Sequence, residues 1–137
     1  MKKIEIMLID DEPDLLEIMG SVIRGWGYDL TTASGGKEAI EIFKAKRPDI
    51  IVLDYLMPEM DGIATLKEIR KLDNKVPVIM FTAYPDTKVI KGTEKLGISA
   101  LIPKLSTYSD VQASLKSTID MLIKNISKKR SNRYGKE

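Results

Sequence analysis

Short apolar runs alternate along the chain with stretches whose apolar positions recur at helical spacing. Ile4 to Ile9 reads as a first strand. Pro13, suited to the first turn of a helix, then opens an amphipathic segment carrying Leu15, Leu16, Ile18, Met19, Val22 and Ile23, which ends at Gly25 and Gly27. Tyr28 to Ala33 is a second strand. "SGGKEAIEIFKAKRP" follows as a second helix, with Ala39, Ile40 and Phe43 inward and Pro48 as its stop. Ile50 to Leu53 is a continuous apolar run, β-branched in its first three residues and closed by Asp54, the signature of a strand covered on both faces. The pattern then predicts a helix from about Gly62 to Leu72 and a strand from Val76 to Phe81. A helix from about Asp86 to Leu96, a strand around Ile98 to Ile102 and a last helix from about Ser109 to Ser127 complete it.

Strict alternation of five strands and five helices builds βαβ units, which pack as a doubly wound parallel sheet with helices on both faces. Open sheets of this kind bind ligands outside the carboxyl ends of their strands. The first strand ends in Asp10-Asp11, the third in Asp54, the fourth in Thr82 and the fifth near Lys104, while the second ends without a comparable polar group. Each residue alone has a modest explanation as a helix cap, a turn residue or a solvated charge. Their coincidence at one edge of one sheet is harder to attribute to structure.

Composition narrows the chemistry. The 137 residues, 43% apolar and 31% charged, fit one domain with an ordinary core, and no apolar stretch approaches the roughly 20 residues that span a bilayer. Glu5 and Asp10 interrupt the first apolar run, so the amino terminus reads as a strand of a cytoplasmic protein and not as a signal peptide. The chain contains neither Cys nor His, which excludes thiolate nucleophiles, imidazole acid-base chemistry and zinc sites of the usual kind. A metal site must be built from oxygen. The net charge of +2 hides an imbalance: Lys124, Lys128, Lys129, Arg130, Arg133 and Lys136 stand against Glu137 alone. Residues 127–137 are therefore read as a basic tail or linker beyond a domain spanning 1–126. The domain has no basic run of its own, and neither direct nucleic-acid binding nor membrane association is expected of it.

Three carboxylates meeting at one strand edge repel one another and raise each other's pKa, and a hard divalent cation relieves that repulsion. A carboxylate held beside Mg²⁺ can attack phosphorus to give an aspartyl phosphate, with a lysine and a hydroxyl placed for the phosphoryl oxygens. "IDDEP", "ASGGKEAIEIF", "RPDIIVLDYLMPEMDG", "VPVIMFTAY" and "LGISALIPK", in that order, resemble the receiver domain of two-component response regulators over nearly the whole chain to about residue 125. The resemblance implies a flavodoxin-like sheet of order 2-1-3-4-5 with Asp54 as phosphoacceptor. It further implies a Mg²⁺ site, with Mn²⁺ as substitute, formed by Asp11, by Asp10 mainly through water, by Asp54 and by the backbone carbonyl of Leu56. Thr82 would hydrogen-bond the phosphoryl group and Lys104 would pair with it. The implied partners are a histidine kinase or histidine phosphotransfer protein and a downstream effector protein or domain, with homodimerisation through the face made by the fourth helix, fifth strand and fifth helix. On this reading the chain is no enzyme beyond assisting its own phosphorylation and dephosphorylation. A haloacid-dehalogenase-type enzyme would need a D-x-D-x-T/V motif after the first strand, and "DDEPD" lacks that spacing.

Two departures from the family keep an alternative in view, a pseudo-receiver that docks partners without taking phosphate. The family lysine is normally followed by a cis proline, but here Pro103 precedes Lys104 and Leu105 follows. A cis Lys104-Leu105 bond would cost about 2.5 to 4 kcal/mol, so a trans bond is expected. Pro103 also removes a ladder donor, which suits an edge strand. Leu101 stands where receivers usually carry the Tyr or Phe that rotates on activation. Leu56 and Tyr84 occupy the positions that tune phosphoryl lifetime, and their bulk suggests slow hydrolysis.

Overall fold

The computed structural model describes residues 3–83, 86–104 and 108–134, with the side chains of 108 and 130–134 outside the description. Five strands, β1 (Glu5–Ile9), β2 (Asp29–Ala33), β3 (Ile50–Asp54), β4 (Val78–Thr82) and β5 (Ala100–Pro103), form one parallel sheet in the order β2-β1-β3-β4-β5. Helices α1 (Pro13–Gly25), α2 (Gly36–Ala45), α3 (Gly62–Leu72), α4 (Thr87–Lys95) and α5 (Tyr108–Tyr134) alternate with them. The expected fold class is thus the observed one.

Strand side chains alternate between two apolar layers. Ile6, Leu8, Ile50, Val52 and Ile79 face Met19 and Ile23 of α1 and Leu115 and Ile119 of α5. Met7, Ile9, Ile51, Leu53 and Met80 face Phe43 of α2 and Leu66 and Ile69 of α3. With β3 and β4 buried at every position, no polar side chain is tolerated along them until their last residues, Asp54 and Thr82.

The helix starts obey local chemistry. Asp61 caps α3 by accepting from the Ala64 N–H at 2.8 Å, and Asp86 caps α4 by accepting from Val89 at 3.0 Å. Pro13 opens α1 without a side-chain cap, and Gly27, at φ +97°, turns the chain after it. Ile18 leaves the predicted inward stripe of α1 and is 50% exposed, because Met19 and Ile23 aim the buried face and Ile18 sits a quarter turn or so away from it.

Two strands begin two residues later than the apolar pattern predicts. Val76 donates to the Asp73 carboxylate and its carbonyl accepts from Arg70, so both its backbone groups are spent before β4 starts. Ile98 donates back to Thr93 at the end of α4, and β5 begins only at Ala100. Helix α5 in turn runs seven residues beyond the expected Ser127, to Tyr134, into the segment read as a basic tail. β5 lies at the sheet edge, where Pro103 leaves no interior ladder donor missing. The Lys104–Leu105 peptide and Tyr84 lie outside the described residues.

Candidate functional site

Sheet register assembles the site. Ile9 pairs with Leu53, so Asp10 and Asp54 follow side by side on neighbouring strands; Asp54 pairs with Phe81, and Thr82 pairs with Pro103, one residue before Lys104. Neighbouring strands are about 4.8 Å apart, so these residues of four strands end along one edge of the sheet. Both carboxylates are withdrawn from solvent, Asp10 1% and Asp54 4% exposed, while Asp11 is half-buried.

Asp10 serves two neighbours. Its Oδ1 accepts from the Glu12 N–H at 3.0 Å, fixing the turn into α1, and its Oδ2 lies 3.3 Å from Lys104 Nζ. The same ammonium stands 3.0 Å from Oδ1 of Asp54, bridging the two acids. The N-cap of α1 is Glu12, not either aspartate, so the modest explanation of the pair as a helix cap does not hold for Asp11. Asp10, Asp11 and Asp54 each offer an oxygen, and these atoms lie within 4.8 Å of one another. Lys104 N–H donates to the Thr82 carbonyl at 2.7 Å, tying the loop after β5 to the end of β4.

Burial pushes the Asp54 carboxyl up; the Lys104 hydrogen bond pulls it back, the charge of Asp10 adds to the rise, and the result is about 6 against 3.8. Burial pulls the Lys104 ammonium down, but its hydrogen bond to Asp54 and the charges of Asp10 and Asp54 outweigh that and hold it above the ordinary lysine value. With three carboxylates ionised and one ammonium, the pocket carries a formal charge of about −2, and its donors are all oxygen. That donor set fits a hard divalent cation.

The loop after Asp54 is held tightly. Tyr55 donates to the Phe81 carbonyl at 2.9 Å and Gly62 donates to the Tyr55 carbonyl at 2.7 Å. A Cβ on Gly62 would stand 2.6 Å from the Asp54 carbonyl oxygen and 2.8 Å from Tyr55 Cα, so only glycine lets α3 start against the end of β3. Glu59 takes a positive φ of 66° to complete the turn. Leu56, two residues past Asp54, is 59% exposed. Leu101, opposite Met80 of β4, is partly buried and packs against the same apolar layer as Phe43 of α2 and Leu66 of α3.

The pattern reading of the strand ends thus names the residues that meet: Asp10, Asp11, Asp54 and Lys104 come together, with Thr82 buried at the end of β4. It missed the role of Gly62, whose only sequence signal was the Asp-Gly step that also marks a helix start.

Residues 6–116 match the family described as the response regulator receiver domain. The chain belongs to that family. It is 34% identical over 116 residues to the transcriptional regulatory protein ZraR of Escherichia coli O157:H7, covering 85% of this chain and 26% of that protein. It is 38% identical over 120 residues to the probable transcriptional regulator ycf27 of Porphyridium aerugineum, covering 87% of this chain and 49% of that one. The receiver therefore spans half or less of the length of these relatives. Among solved structures, the CheX–CheY–BeF3–Mg complex from Borrelia burgdorferi superposes with a TM-score of 0.77 at 25% identity, covering 88% of this chain and 89% of that one. A receiver of two-component signalling with its acids and lysine in place gives the pseudo-receiver alternative no support. Among the described residues no helix is long and apolar enough to cross a membrane.

Proposed function

We propose that Asp54 accepts a phosphoryl group from the phosphohistidine of a histidine kinase or histidine phosphotransfer protein in the cytoplasm, and that the modified receiver signals to a downstream effector protein or domain. The observation that carries this reading is a buried carboxylate at the end of β3, with an ammonium 3.0 Å from one oxygen and two further carboxylates within 4.8 Å. Lys104 engages Oδ1, and Oδ2 is the oxygen assigned to the attack. The Oδ2–phosphorus bond forms as the phosphorus–imidazole nitrogen bond breaks, and the imidazole keeps the electron pair.

A pKa of about 6 leaves Asp54 largely ionised at neutral pH, as the attack requires. Asp10, Asp11, Asp54 and the Leu56 carbonyl would hold Mg²⁺, or Mn²⁺ in its place, which when bound offsets the crowded negative charge of carboxylates and phosphoryl oxygens. After transfer the Lys104 ammonium pairs with a phosphoryl oxygen in place of Oδ1, and the Thr82 hydroxyl donates to another. The Lys104 N–H to Thr82 carbonyl bond couples the loops after β4 and β5, which gives the change a route outward without the aromatic rotation that Leu101 cannot perform. Homodimerisation through α4, β5 and α5 is one output that this route would serve.

Intact-mass measurement after incubation with acetyl phosphate tests the reading. A single phosphoryl adduct that needs Mg²⁺ and is lost in Asp54→Asn is expected. No adduct on folded protein, from acetyl phosphate or from a partner kinase, overturns it.

A further inference from the structure

The end of the sheet opposite Asp54 gathers the carboxyl ends of the helices, and their last turns carry basic side chains, as the helix dipole favours: Arg24, Lys44, Arg70 with Lys71, and Lys95. Two hollows adjoin there between the loop leading into β4 and the distal half of α5. One encloses about 320 Å³. The other encloses about 220 Å³, and the two share Lys75, Val76, Pro77, Ile126 and Lys129. Together they make an open groove whose floor is Val76, Pro77 and Ile126 and whose rims carry Lys75 on the loop and Lys129 on the helix.

The charges around this groove are unequally occupied. Asp73 accepts from the N–H groups of Lys75 at 2.8 Å and Val76 at 3.0 Å, and its other oxygen faces Arg47 at 3.6 Å. Asp49 accepts from the Glu5 N–H at 2.9 Å. Arg70 is spent on the backbone, donating to the carbonyls of Asp73, Val76, Leu96 and Gly97. Lys75 and Lys129 are exposed and form no ion pair among the described residues. The lining of the two hollows thus carries three cations, Arg70, Lys75 and Lys129, against the two acids Asp49 and Asp73, and the two charges without an ion-pair or hydrogen-bond partner among the described residues, Lys75 and Lys129, are both positive.

We propose that this groove docks an acidic, leucine-bearing segment of a partner protein, its apolar side chains on Val76, Pro77 and Ile126 and its carboxylates toward Lys75 and Lys129. The extension of α5 past the sheet supplies the second rim: a helix ending with its last core-packed residue would leave Lys129 without backbone support and the groove one-sided. A hollow open along one side suits a chain segment better than a small molecule, which binds where most of its surface can be enclosed. Opposed lysines over an apolar floor give the charge complementarity that fixes orientation and discriminates against basic segments. Because the groove lies at the opposite end of the strands from Asp54, a partner bound there is held whether or not Asp54 is modified.

The test uses the full chain and a synthetic Leu/Glu peptide of about a dozen residues, compared with its Leu/Lys counterpart, a short duplex DNA and phosphatidylglycerol vesicles. Binding is read by peptide fluorescence anisotropy and by amide shifts in NMR spectra. The Leu/Glu peptide alone is expected to bind, with shifts concentrated at 73–77 and 122–129. Affinity should fall at least about tenfold in Lys75→Glu/Lys129→Glu, whose fold is checked by circular dichroism, and hold in Lys75→Arg/Lys129→Arg. The same affinity is expected in Asp54→Asn, which separates this result from any failure of phosphorylation. No peptide binding, binding indifferent to the charge reversal, shifts located elsewhere, or binding of duplex or vesicles in its place would each overturn the proposal.

Discussion

Replacing Asp54 by asparagine should stabilise the metal-free protein, and the gain should grow with pH. Asp54 titrates near 3.8 when exposed and at about 6 in the fold, because burial disfavours its charge more than Lys104 restores it. A folded-state pKa raised above the unfolded one favours folding while the group is protonated, so the contribution is complete below about pH 4 and is lost as pH rises through about 6. A shift of roughly two units at about 1.4 kcal/mol per unit sets the full loss at ~3 kcal/mol. Asparagine has nearly the same shape and carries no charge to desolvate. Urea denaturation in EDTA, from about pH 4 to 8, should therefore show the two proteins converging at the acid end. Near pH 7.5 Asp54→Asn should be more stable by about 2–3 kcal/mol, or roughly 8–12 °C in melting temperature. Mg²⁺ should narrow the gap by favouring the charged carboxylate only in the native protein. Equal stability at every pH, or a less stable variant at neutral pH, would refute the claim that Asp54 is held at an electrostatic cost.

Three other substitutions probe the frame around the site. Gly62→Ala places a Cβ against the backbone of Asp54 and Tyr55 and should cost about 1–3 kcal/mol by denaturation, and it should lower phosphorylation as Asp54 is displaced. Arg70→Met strands four carbonyls and should cost about 2–4 kcal/mol, with hydrogen exchange rising at residues 96–99 and not in α1. Glu59→Gly relieves a positive φ of 66° and should leave stability unchanged or raise it by up to about 1 kcal/mol, measured by the same denaturation.

What could be read in advance divides along a physical line. β3 and its terminal Asp54 were legible because a strand buried on both faces forces an uninterrupted apolar run, against which the carboxylate that closes it stands out. Register then does what spacing cannot: Ile9 opposite Leu53 sets Asp10 beside Asp54, and Thr82 opposite Pro103 brings Lys104 in from fifty residues away. That lysine was singled out only because it follows the fifth strand; its pairing with Asp10 and Asp54 comes from the fold. The starts of β4 and β5 were not legible, because Val76 and Ile98 are as apolar as their neighbours and are withheld from the sheet by hydrogen bonds to Asp73, Arg70 and Thr93. Arg70 reaches carbonyls 26 and 27 residues away, which no local pattern encodes. The groove at the far pole was hidden for the same reason: Lys75 and Lys129 are ordinary surface lysines until α5 is seen to carry one past the loop that holds the other.

The central claim is that Asp54, and no other carboxylate in the pocket, becomes the acyl phosphate. The most direct measurement treats the phosphorylated protein with borohydride, which reduces an aspartyl phosphate to homoserine, and maps the product by tandem mass spectrometry. Homoserine at position 54 alone, absent when Mg²⁺ is withheld, is the predicted result. Homoserine at position 10 or 11, or an adduct that resists reduction, would contradict the account.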